Sequence, residues 1–178
     1  TSTRINNFDL RWEYFMEGAD IVSVSAFFKS FDAPIELVRI PTSQTLRDIQ
    51  PRNVGQATLI GGEFEFRKNL KFINENWNKI AFSGNLTYTY SQVEMAPVEF
   101  NARKNFEKDG ETVESTRQMA GQAPYIVNAG FSYDDIEKGR SAGLFYNVKG
   151  RTLTIVGSGL APDIYSEPFH SLNFTFNQ

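Results

Sequence analysis

From Phe8 to Tyr14 the chain reads F-D-L-R-W-E-Y, with large apolar side chains at Phe8, Leu10, Trp12 and Tyr14 and charges at Asp9, Arg11 and Glu13 between them. Side chains on a strand alternate faces with period 2, so a strand here has one aromatic, apolar face and one ionic face. A soluble antiparallel sheet shows such alternation when one face covers a core. In this chain the pattern returns about seven times, along strands too long for an ordinary small domain. That combination predicts the wall of a transmembrane β-barrel, with lipid outside and water inside.

The alternation predicts strands over Asn6–Phe15, Ile21–Phe31, Ala57–Lys68, Lys79 to about Gln92, Tyr125–Tyr133, Ser141 to about Ile155, and a last strand carrying Leu172, Phe174 and Phe176. The fold class expected is therefore all-β, with about seven antiparallel up-and-down strands. Gly61-Gly62 interrupts the third strand and signals a bulge or close packing. The connections at 17–20, 69–78 and 134–140 are short. Those at 32–56 and 94–122 are long, and the one after the sixth strand, over 157–163, is intermediate. Pro34, Pro41 and Pro51 mark 32–56 as loop, with at most a short extended end. The stretch 94–122 mixes charges of both signs without an apolar period, and is expected to be a solvated loop. Alternating strand direction puts all short connections on one side, as in outer-membrane barrels with short periplasmic turns and longer extracellular loops. Predicted strand lengths of about 9 to 15 residues meet what a tilted strand needs to cross a bilayer.

Parity then assigns faces. Asp9, Arg11, Glu13, Lys29, Glu63, Glu65, Arg67, Lys149 and Arg151 are expected to face the lumen, as a solvated wall with cross-strand ion pairs or as contacts to a transport path or plug. Phe8, Leu10, Trp12, Tyr14, Phe82, Tyr88, Tyr90, Tyr125, Tyr133 and Tyr146 are expected to face lipid or to anchor the barrel at headgroup level, with Trp12 and Tyr14 near the periplasmic girdle. His170, the single histidine, falls on the lipid-side face, and reads as a satisfied interfacial residue rather than a ligand.

Composition fits this picture and narrows the chemistry. Apolar residues make up 40% of the 178 residues while aromatics reach 14%, which suits one-faced strands with aromatic belts. The absence of cysteine excludes disulfides and thiolate metal sites, and a net charge of −3 gives no electrostatic case for nucleic acid. No apolar run approaches the roughly 18 to 20 residues of a transmembrane helix, as expected where lipid- and lumen-facing residues alternate. No GxxxxGK[ST] pattern occurs, and Gly157-Ser158-Gly159 is not followed by a helical pattern. Asn85-Leu86-Thr87 matches a glycosylation acceptor in form only, since it lies within a strand. No nucleophile, acid–base pair or metal-ligand cluster emerges, so no enzyme activity, no cofactor and no metal are expected.

Three stretches carry a family resemblance. Arg52-Asn53 with Ala57–Lys68 (A-T-L-I-G-G-E-F-E-F-R-K), and Gly121-Gln122-Ala123-Pro124-Tyr125 continuing through Tyr133, each resemble barrel strands of TonB-dependent outer-membrane receptors. Ala26–Phe31 with Pro34-Ile35-Glu36 fits the strand before the first of these, and the version is most similar to receptors of Bacteroidetes-type bacteria. The resemblance implies a barrel of about 22 strands in the bacterial outer membrane, plugged by an N-terminal domain and importing a nutrient with energy passed on by TonB. That nutrient would be an iron chelate, a vitamin, a glycan or a peptide. Residues 1–178 would then be a partial barrel domain of about seven consecutive strands, roughly strands 14 to 20, without plug, TonB box or closing C-terminal strands. Such a piece is not expected to transport on its own. The partners implied are outer-membrane lipid, TonB, the plug and a surface lipoprotein. Loops 32–56 and 94–122 would form part of the extracellular mouth. Two other readings remain at this point: a structural or secretion-related outer-membrane barrel that imports nothing, and a soluble carbohydrate-binding β-sheet module.

Overall fold

The computed structural model describes residues 2–39, 48–157, 159 and 161–178. Seven long strands form one antiparallel sheet: β1 (Arg4–Phe15), β2 (Ile21–Asp32), β5 (Ala57–Asn69), β6 (Ile80–Glu94), β8 (Tyr125–Asp135), β9 (Arg140–Lys149) and β12 (Phe169–Asn177). They pair in the order β1-β2-β5-β6-β8-β9-β12, so each is hydrogen-bonded to the next long strand in the chain, as an all-β up-and-down meander requires. The turn after β1 closes with Met16 N–H donating to the Asp20 carbonyl at 3.0 Å, around Gly18 at φ 75°.

Register lines up the alternating apolar positions of neighbouring strands on one face. Phe8 stands opposite Phe28, Phe28 opposite Ile60, and Ile60 opposite Tyr90. Further along, Phe82, Phe131, Leu144 and Phe174 form one such row across β6, β8, β9 and β12. Directly opposed residues share a face, and a one-residue slip would turn each of these to the other side. The ladder runs unbroken through Gly61 and Gly62, so there is no bulge there. Close packing is the reason for glycine at 61. A Cβ there would collide with the Phe27 ring and stand 2.5 Å from the Tyr88 carbonyl oxygen.

The long connections hold more structure than their sequence suggests. Within 32–56, β3 (Ile35–Arg39) pairs with β4 (Ile49–Asn53), and Pro51 sits inside β4 opposite Leu37. This two-stranded sheet gives β4 one unpaired side, where a missing N–H costs no ladder bond. Within 94–122, α1 (Pro97–Lys104) starts with proline in its first turn, and β7 (Thr116–Arg117) pairs with the end of β6. Eight residues are too few for a helical period to stand out. The predicted sixth strand divides at Gly150, whose N–H donates to the Tyr125 carbonyl at 2.8 Å. Beyond it the chain leaves the large sheet, and β10 (Thr152–Ile155) pairs with β11 (Ile164–Ser166) instead. The connection at 69–78 is two short 3-10 turns, capped by the Asn69 and Asn74 side chains. The loop expectation for 40–47, Pro41 included, and the Ser158 position lie outside the described residues.

Buried apolar packing is confined to the end of the sheet where the long connections meet. Ala57, Val93 and Met119 cluster there with Phe31 and Val54, and Leu153 and Val156 are fully enclosed nearby. Gly61→Ala is expected to destabilise the full-length protein by about 1–3 kcal/mol, as overpacking does. Adding Phe27→Ala should not restore stability, because the Tyr88 carbonyl stays in place. Urea unfolding of both variants in detergent checks this.

Candidate functional site

The polar face of the large sheet gathers eight of the nine predicted lumen residues: Asp9, Arg11, Glu13, Lys29, Glu63, Glu65, Arg67 and Lys149. Arg151 does not join them, because it follows the break at Gly150. Its guanidinium pairs with Glu167 at 2.8 Å and stacks 4.0 Å over the Tyr165 ring. On the sheet, Arg11 bridges Glu13 (2.5 Å) and Glu65 (2.9 Å) across three strands. Asn7 donates to Asp9, and the Lys29 ammonium lies 6.0 Å from the Phe27 ring. These side chains are substantially exposed, so each pair adds little stability. Two hollows of about 660 and 750 Å³ open on this face, the second beneath Gly121–Ala123.

One row on this face crosses all seven long strands at a single level. It runs Glu13, Ser23, Glu65, Asn85, Asn128, Asn147, Ser171. Its chemistry changes between β5 and β6. On the first side the row is ionic, joined through Arg11. On the second it is an amide ladder, in which Asn128 donates to Asn85 at 2.6 Å and Asn147 donates to Asn128.

All ten residues predicted to face lipid share the opposite, apolar face. Trp12 and Tyr14 stack with centroids 6.2 Å apart at the end of the short turns. The Phe64, Phe66, Phe82 and Phe131 rings follow one another at 5.8, 5.0 and 4.7 Å. Tyr88, Tyr90, Tyr125 and Tyr146 stand toward the other end of the strands, where Tyr146 Oη lies 2.6 Å from His170 Nδ1. Most of this face is uncovered: Phe8, Leu10, Leu172 and Phe174 are each about 70% exposed.

At the rim, three connections, the two long ones and the one over 157–163, are stitched together by buried charge. Arg117 on β7 contacts Glu36 of β3 at 2.7 Å and Glu99 of α1 at 2.6 Å. Arg103, one helical turn after Glu99, takes Asp163 in a two-pronged grip at 2.8 and 3.1 Å. Glu36 also accepts the Ala120 N–H at 2.6 Å, and Asp163 the Gly157 N–H at 2.7 Å. Backbone bonds link the same segments: Arg39 N–H to Val156 O, Val156 N–H to Leu37 O, and Gly121 N–H to Leu153 O. Burial pushes the Asp163 carboxyl up, but Arg103 and the Gly157 N–H outweigh it and hold it below the usual range. Of these charges, Glu99, Arg103 and Arg117 fall in 94–122, the stretch expected to be solvated. The legible signal was Pro97 followed by the Glu99–Arg103 spacing of a helix.

A family model described as TonB dependent receptor-like, beta-barrel, matches residues 1–177. Among solved structures, the copper transporter OprC aligns with a TM-score of 0.63 at 15% identity, covering 97% of this chain and 22% of that one. At that identity the likeness speaks for the fold. The chain therefore spans about a fifth of that transporter's length. No curated protein matches the chain.

Arg117→Met leaves Glu36 and Glu99 buried without their shared cation, and should cost about 3–5 kcal/mol. Hydrogen exchange at Ala120 and Gly157 in the full-length protein is the measurement, and both connections should lose protection together. A second outcome concerns pH. A carboxyl held low in the folded state stabilises above its unfolded value and loses that contribution as pH falls through the lower folded one. Exchange at Gly157, corrected for its intrinsic rate, should be flat from neutral pH down to about 4 and rise below it.

Proposed function

Since the chain belongs to the TonB-dependent receptor-like β-barrel family, we propose that it is part of the wall and outer rim of a bacterial outer-membrane receptor that imports a nutrient with energy passed on by TonB. The observation that carries this reading is the two-faced sheet. One face is apolar along seven strands and uncovered, while the other is hydrogen-bonding and hollowed. A lipid-facing apolar band with aromatic girdles and a polar interior is what a membrane barrel needs. From Ile80 to Tyr90, the stretch of β6 between the two belts, the strand rises ~33 Å. Tilted by about 40°, it spans the ~25 Å height of such a band.

In this reading the rim with the short turns is periplasmic and the stitched rim is extracellular. Phe8, Leu10, Trp12, Tyr14, Phe82 and the tyrosines 88, 90, 125, 133 and 146 meet lipid. The eight charged residues on the polar face line the lumen, where a plug domain would sit in the full-length protein. We assign the piece to the second half of a Bacteroidetes-type barrel, on the strength of the G-Q-A-P-Y stretch at 121–125. A surface lipoprotein would meet the stitched rim.

Residues 1–178 hold no cysteine, so once any cysteine elsewhere in the full-length protein is replaced, single cysteines here report cleanly. In the full-length receptor in membranes, Leu86→Cys should be silent to a charged, water-soluble maleimide and reactive to a lipid-soluble one. Asn85→Cys and Asn128→Cys should show the opposite pattern. Equal aqueous labelling at Leu86 and Asn85 would sink the membrane orientation.

A further inference from the structure

We propose that the connection between β5 and β6 is a phospholipid-binding element, which sets Phe72 and Ile73 among acyl chains and offers Lys68 and Lys71 to the headgroup phosphate. The inference rests on the membrane reading above and adds a partner at the periplasmic rim. Its basis is a connection longer, more ordered and more apolar on its surface than joining two strands requires. Antiparallel strands can be joined by two residues. Only Met16–Asp20 lie between β1 and β2, whereas residues 70–79 lie between β5 and β6. The longer segment is held in place. The Asn69 and Asn74 side chains cap its two 3-10 turns, and the Asn69 amino group donates to the Asn78 carbonyl at 2.7 Å, closing the neck. Yet Phe72, Ile73 and Trp77 are 65%, 57% and 42% exposed. Exposed apolar side chains gathered on an ordered segment mark a surface that something covers.

Lys68 fixes the side on which Phe72 stands. It lies opposite Phe82 on the apolar face, two residues past Phe66, and its Nζ is 6.0 Å from the Phe72 ring. Phe72 therefore adjoins the apolar face of the sheet and not the lumen. The same ammonium pairs with the Asp20 carboxylate at 2.9 Å and sits 3.7 Å from the Met16 sulfur, with the Lys68 side chain still 38% exposed. An ammonium has three donors, so one remains for a group arriving from outside. Burial pushes the Asp20 carboxyl up, but Lys68, the Asn69 N–H and Lys71 hold it below the usual range. Both lysines are thus gathered about one enclosed carboxylate, and Lys71 is exposed and makes no ion pair among the described residues. Ammonium groups beside an apolar wedge match the order of a phospholipid, phosphate next to acyl chains. The amphipathic indole of Trp77 suits the same boundary. Glu17 and Glu75, exposed in the same turns, keep this surface close to neutral. A highly charged soluble partner would find little here to steer it, whereas a leaflet of phosphates beside amines needs no net charge.

The test uses the full-length receptor. With Phe72 replaced by benzoylphenylalanine, irradiation of cells should give adducts of phospholipid mass. Lys71→Gln should cut their yield roughly threefold or more. Adducts to protein alone, or a yield indifferent to Lys71, would overturn the assignment. Depth is read from a nitroxide on Ile73→Cys, with any other cysteine replaced, in vesicles of phosphatidylethanolamine and phosphatidylglycerol. Its collisions with dissolved oxygen should dominate over those with a water-soluble nickel chelate. The chelate should dominate at Glu137→Cys, whose side chain is 89% exposed on the neighbouring turn. Chelate access at 73 equal to that at 137, or shielding of 73 from both reagents, would overturn the anchor. The same label on Leu86→Cys separates the two readings. Lipid at 86 with water at 73 removes the anchor alone, whereas water at both positions sinks the membrane reading.

Discussion

A strand with hydrocarbon on one side cannot leave a backbone N–H or carbonyl unpaired, because no water is there to take it. The long ladders of this sheet answer that constraint, and the faces follow from it. Once register is continuous from β1 to β12, period 2 alone decides which side chains share the apolar face. This is why Gly61 and Gly62 lie in an unbroken ladder instead of a bulge. A bulge there would exchange the faces of half a strand. Glycine lets the Phe27 ring settle against the backbone without disturbing the pairing.

The wall and the rim use charge in different ways. On the wall, Arg11 and its two carboxylates are open to solvent, and their energetic worth is small. At the rim, Arg117 and Glu36 are almost wholly enclosed. A charge taken out of water is costly unless it is matched, so the enclosed cluster tolerates little change in its geometry. Rim segments far apart in the chain are thus joined by something stricter than hydrophobic contact. Arg103 and Asp163 are 60 residues apart, and Ala120 and Glu36 are 84.

That separation explains what the sequence made legible. The seven strands could be read because each carries its own pattern: Phe8 to Tyr14 needs no knowledge of its neighbours to show two faces. The same holds for the sharing of one face by Phe82, Tyr88 and Tyr90. The end of the sixth strand was not legible, since Arg151 continues the alternation while Gly150 turns the chain away to bond with Tyr125. The β3–β4 hairpin was hidden by Pro51, which is excluded from a central strand but tolerated in a strand paired on one side. The charges at 94–122 looked solvated because Arg117 and Arg103 are enclosed only through further partners, Glu36 and Asp163, that come from other connections. Composition within the segment shows the helix-forming Glu99–Arg103 spacing but no trace of those distant partners.

The stitched rim also bears on how such a protein can diverge. Outer loops are usually treated as independent modules, free to vary one at a time. Here Glu36, Arg117 and Asp163 belong to three different connections that share one enclosed cluster. Grafting any single connection onto a related barrel would bring a charge without its counter-charge. Only a transfer of all three segments together would keep every enclosed charge matched.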